Sequence, residues 1–225
     1  MALKTTMTLQ LPLRVWDAPI RLFHWSLVLL FLLAYATSQL DWMNLHLLTG
    51  YAILALLLFR LVWGVVGSET ARFASFVVSP MAGLRHLQHF REREPDTQVG
   101  HNAAGGWMVL ILLALLTIQV GSGLFANNDG ATEGPLMKFV SKPHSDLLSA
   151  VHSLMFDFLL AAVILHVLVV IAYAVVKKHD LVRPMITGKK RLPAATHAPR
   201  LASPLLALLV LLLATATVVA LVRWT

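Results

Sequence analysis

Long uncharged apolar runs alternate along this chain with short polar stretches. Five runs are long enough to cross a hydrocarbon core of about 30 Å as helices, at about 1.5 Å per residue. They cover residues 20–40, 44–67, 103–125, 147–176 and 204–222. Pro19, in "WDAPIR", suits the first turn of the first helix. The fourth run exceeds what a bilayer needs, so it tilts or projects into water. The fifth carries no charge and no histidine. The pattern predicts an all-α membrane protein of five spans.

The polar stretches sort by charge. Lys4, Arg14 and Arg21 lie before or at the start of the first span. Arg72, Arg85, Arg91 and Arg93 separate the second from the third. Lys177, Lys178, Arg183, Lys189, Lys190, Arg191 and Arg200 follow the fourth. The "SQLDWMN" loop has no Lys or Arg, and between spans three and four Lys138 and Lys142 face Asp129, Glu133 and Asp146. The positive-inside rule then predicts a cytoplasmic N-terminus and, after five spans, a periplasmic C-terminus.

Four histidines interrupt the apolar runs. His152 and His166 are fourteen residues apart, close to four whole turns. Both therefore leave one helix face, roughly 21 Å apart along the axis. His24 lies near the cytoplasmic start of span one, and His46 near the outer start of span two. Two depth-matched pairs follow: His24 with His166 inside, and His46 with His152 outside. Each pair suits the two axial positions of a haem b iron. A histidine in a membrane helix also serves by bonding a neighbouring helix, but ionisable groups there are costly and usually functional.

Composition narrows the chemistry. The chain is 58% hydrophobic and 13% charged, with a mean hydropathy of +0.74, which leaves no room for a separate soluble domain. Its 18 Lys and Arg against 11 Asp and Glu point to anionic headgroups and membrane lipid, not nucleic acid. The absence of cysteine excludes thiolate-held clusters and covalent haem attachment. No cleavable leader is expected, since the first apolar run spans fully and lacks a small-residue exit.

Other polar residues carry weaker signals. Gly50, one turn after His46, leaves room for a flat macrocycle or for a helix contact. Arg60, on the His46 face, meets a propionate or snorkels to the interface. Gly64 and Gly67 permit close helix packing. His101 contacts a propionate, sits near a quinone, or caps the bundle. Asp157 bonds a ligand ring, relays a proton or packs protonated against a helix. Gln119 reads as interhelical glue. His86 and His89 read as part of a solvated amphipathic stretch rather than a metal pair. His144, with Lys138 and Lys142, reads as solvated or as part of a docking surface. His179 and His197 carry no signal.

The segments "VWDAPIRLFHW", "HLLTGY", "FRLVWGVVG" and "GHNAAGGW", with the two-histidine fourth span, resemble the bacterial cytochrome b561 family, which includes b-type cytochrome subunits of nickel–iron hydrogenases. The resemblance covers residues 12–191 and ends in "MITGKK". It implies a four-helix transmembrane haem-binding bundle holding two noncovalent haems b. By motif, the ligands carry over to His24, His46, His152 and His166. "GHNAAGGW" departs from the family in lacking a proline often found after "GHN". Residues 192–225 add a basic linker and a fifth C-terminal transmembrane helix, read as lipid-facing and without chemistry.

These readings define a diheme electron-transfer component of the bacterial inner membrane and its respiratory chain. It links the quinone pool to a redox partner on the periplasmic side, a cytochrome c or a reductase or dehydrogenase subunit. One alternative is a self-sufficient superoxide:quinone oxidoreductase, which a cationic outer surface around Lys138, Lys142 and His144 would favour. A transporter with structural histidines is the other.

Overall fold

A computed structural model describes residues 9–89, 92, 95–130 and 132–225. The expected charges at Lys4, Arg91 and Arg93 lie outside the described residues. Among the described residues five helices are long and apolar enough to cross a membrane: α1 (Ala18–Gln39), α2 (Met43–Val66), α4 (Ala103–Gly123), α5 (Lys142–Ala172) and α7 (Pro204–Trp224). Two shorter helices, α3 (Pro80–Gln88) and α6 (Val182–Thr187), lie between spans.

Local chemistry sets the helix starts. The Asp17 carboxylate accepts from the Ile20 amide at 2.6 Å, with Pro19 in the first turn of α1. Asn102 does the same for Gly105 at 2.7 Å, and the Ser203 hydroxyl caps α7 ahead of Pro204. Such side chains satisfy amides that have no partner inside the helix. The surplus length of the fourth span ends in a wide π turn, Tyr173–Lys177, and a left-handed Lys178 at φ 60°.

α1 packs on α2 and α4 on α5, while α2 also meets α4 and α7. Across the bundle, Phe156 of α5 stacks near Phe31 and Tyr35 of α1, with centroids 6.1 and 5.3 Å away. α7 is seated on α2 through Ala207, Val210, Ala214 and Val218, and leaves Leu205, Leu208, Leu209, Leu212 and Leu213 exposed. Its start is tied to the α2 exit by Glu69 N to Arg200 O (2.9 Å) and Ala202 N to Ser68 Oγ (2.8 Å). One face is thus exposed and the other packs against α2.

A two-stranded antiparallel ribbon pairs β1 (Gln10–Arg14) with β2 (Lys189–Pro193). Gly188, at φ +77°, turns the chain into β2. Its carbonyl accepts from Val15 and Trp16, and a Cβ there would meet the Trp16 carbonyl at 2.8 Å. The ribbon joins the chain before α1 to the chain after α5. At the other end Lys138 Nζ meets the Thr225 carbonyl at 2.5 Å and Phe139 stacks on Trp224. The N-terminal segment and the C-terminus therefore lie at opposite ends of the bundle.

Candidate functional site

His46 and His152 face each other between α2 and α5, with ring centroids 6.2 Å apart and planes at 89°. His46 Nδ1 lies 2.9 Å from the Ala34 carbonyl, and His152 Nδ1 lies 2.8 Å from the Gln119 carbonyl. A carbonyl only accepts, so each Nδ1 carries the proton and each Nε2 keeps its lone pair. Metal-ligating histidines are commonly oriented this way, by a second nitrogen that donates to a carbonyl. α4 shapes this site. The Gln119 amide nitrogen sits 3.2 Å from His152 Nε2. A Cβ on Gly123 would lie 2.8 Å from His152 Cε1.

His24 and His166 face each other between α1 and α5 at 6.5 Å, with planes at 58°. Trp25 lies edge-on to His24 at 4.9 Å and donates to the Met185 carbonyl at 3.0 Å. Among the described residues Nδ1 of His24, which is buried, has no hydrogen-bond partner. Four of the sequence-predicted residues thus meet as two pairs, one toward each end of α5.

Arg60 and His101 lie at the basic end, with the His24–His166 pair. Arg60 is only 2% exposed, so it does not snorkel. Its guanidinium lies 4.8 Å above the Phe73 ring, which packs where Gly64 lacks a side chain. Arg60 Nη1 is buried and has no partner among the described residues. Nearby Asp17 is engaged by Ile20 N and, at 3.1 Å, by Trp63 Nε1. His101 is wedged between Trp16 and Phe76, each centroid 4.7 Å away, and its Nδ1 has no partner among the described residues either. Desolvation first, then the charges of Arg60 and His166, push its pKa from 6.5 down to about 3. It is neutral at physiological pH.

The site's dimensions fit a ligated haem. Two imidazoles gripping one metal at about 2 Å per nitrogen, with each ring centre about 1.1 Å behind, would stand roughly 6 Å apart. A Cβ added at Gly50 meets no atom within 4 Å, so space lies open one turn from His46. Arg60 and His101 present polar atoms in need of partners, as a group bearing carboxylates would supply. Asp157 is exposed. His86 bonds the Tyr173 hydroxyl at 2.7 Å and His89 the Arg85 carbonyl. Among the described residues no group of three or more His, Asp or Glu could hold a metal ion.

The spans and their packing place the chain among multi-pass helical membrane proteins. It belongs to the prokaryotic cytochrome b561 family, whose sequence profile matches residues 15–188. It is similar to a probable Ni/Fe-hydrogenase B-type cytochrome subunit of Rhizobium leguminosarum bv. viciae. Identity is 23% over 211 residues, covering 78% of this chain and 87% of that protein. No solved structure matches. Family membership makes the chain a membrane b-type cytochrome of electron transfer and implies haem b.

Proposed function

We propose that the chain holds two haems b, one between His46 and His152 and one between His24 and His166. Through them it passes electrons between the quinone pool and a redox partner. The facing histidine pairs at 6.2 and 6.5 Å carry this reading. Bound haem supplies the one-electron chemistry. Ala34 and Gln119 fix the tautomer of the outer ligands through their carbonyls. Arg60 neutralises propionate charge at the inner site, and His101 bonds there as a neutral imidazole.

The basic end, with Arg72, Arg85 and the residues after α5, faces the cytoplasm of a bacterial inner membrane. The partner then docks on the periplasmic side. The similarity to a probable Ni/Fe-hydrogenase B-type cytochrome subunit favours a nickel–iron hydrogenase as that partner over a free cytochrome c. Direct reaction with superoxide is disfavoured by the outer cations: Lys142 is engaged by Asp129 and Asp146, each at 2.5 Å, and Lys138 by the C-terminus.

A pyridine haemochrome assay should give about two acid-extractable haems per chain. His46→Ala and His152→Ala should remove one spectral centre, and His24→Ala and His166→Ala the other. A single haem, or matching losses from His46→Ala and His166→Ala, would overturn the assignment.

A further inference from the structure

Beyond the redox site, a cavity of about 710 Å³ opens at the basic end. It lies where α5 leaves the apolar span, against α6, β2 and the Pro95–Asp96 segment. Lys177, Lys178, Arg183, Lys189, Lys190 and Arg191 line it. Among the described residues only two carboxylates line it, Asp96 and Asp180, and both are committed. Asp96 takes Lys190 at 2.6 Å. Asp180 accepts from the Val182 and Arg183 amides at 3.1 and 3.0 Å. Among the described residues, the side chains of Lys178, Arg183, Lys189 and Arg191 make no ion pair or hydrogen bond. Four cations without a partner among the described residues stand around one cavity and repel one another, and a multivalent anion relieves that repulsion.

The surroundings select an amphiphile. The segments that supply the cations also expose Ile171, Val175, Val182 and Ile186, each between 45 and 59%. Basic pockets where helices meet the membrane surface suit phosphate headgroups. Lys and Arg donate charge-assisted hydrogen bonds to phosphate oxygens, Arg183 and Arg191 as planar forks.

We propose that this cavity binds the phosphate headgroup of an anionic phospholipid, with its acyl chains along Ile171, Val175, Val182 and Ile186. The shared chemistry is phosphate, so the source is tested directly. Full-length protein is extracted in mild detergent, and retained lipid is counted by native mass spectrometry. Diphosphatidylglycerol, phosphatidylglycerol and phosphatidylcholine are then titrated back. The wild type should retain the two anionic lipids in preference to phosphatidylcholine, more weakly at high salt. The variant R183Q/R191Q should bind them roughly thirty-fold more weakly, at about one factor of five per cation. The variant R85Q/R223Q removes the same charge elsewhere and should bind as the wild type does. Circular dichroism and elution volume establish that each variant is folded. Equal weakening in both variants, or no lipid selectivity, overturns the proposal. So does displacement of lipid by millimolar inorganic phosphate, which marks a free-phosphate site, or retention of an acidic protein in place of lipid.

Discussion

His152 is positioned by α4 more than by its own helix. The Gln119 carbonyl holds its Nδ1, and Gly123 leaves the space that the ring fills. In Gly123→Ala the new methyl lies too close to the imidazole, and the ring or α4 must shift, at about 1–3 kcal/mol. The haemochrome value should then fall from about two toward one, with the His24–His166 centre unchanged in the spectrum. Two full haems in that variant would show that the ring is not confined there. The four histidines were legible because polar side chains stand out in apolar runs. Gln119 was legible only as a helix-bridging amide. Its target depends on how α4 packs against α5, which spacing along either helix does not contain.

His101 supports a second test at this scale. Its folded pKa, about 3, lies below the unfolded value of 6.5. Between those values the unfolded chain binds more protons, so stability falls as pH drops through 6.5. In the chain without haem the loss at pH 5 is about 2 kcal/mol. Thermal unfolding between pH 7.5 and 5 should show a steeper acid limb for the wild type than for His101→Gln. Parallel limbs would mean that His101 titrates normally.

Among the elements, the five spans were legible to within a few residues at most ends, since apolar length alone defines them. The π turn after α5 was not, because the run stays apolar through Val176 and only the backbone shows the change of winding. The short helix α3 read as a solvated stretch. It packs against α4, and Gly83 lies beside the Trp107 ring. α7 shows what pattern cannot convey about packing: its small residues Ala207 and Ala214 face α2, yet nothing in an all-apolar run marks one side. Ala214→Leu should cost about 1–3 kcal/mol through overpacking, read as a lower thermal midpoint. Truncation after Arg200 should lower that midpoint while keeping both haems, because α7 supplies no residue to either histidine pair. Loss of haem on truncation would place α7 in the redox bundle.

For the whole molecule, the charge pattern and the ribbon are independent lines of support for one sidedness. Lys and Arg gather at the end where β1 meets β2, and Thr225 lies at the other. A periplasm-dependent reporter fused after Thr225 should be active and should fall silent when the chain is cut after Arg200, a point that leaves β2 intact. Activity of a cytoplasm-dependent reporter on the full chain would reverse the orientation. The two ends of the bundle were legible from charge alone. The ribbon was not, since neither strand alternates in a way that names its partner.

That ribbon also has a consequence for biogenesis. β1 is made first, but its partner residues 189–193 are made only after all four histidine-bearing and intervening spans. Chains are synthesised from the N-terminus at about 5–20 residues per second, so β1 waits roughly 10–35 seconds with an unpaired edge. Such an edge invites pairing with other chains. The closed ribbon is therefore a timestamp: it forms only on a chain synthesised past residue 193. A membrane protease that recognises unpaired N-terminal segments would spare finished molecules and remove those that stalled.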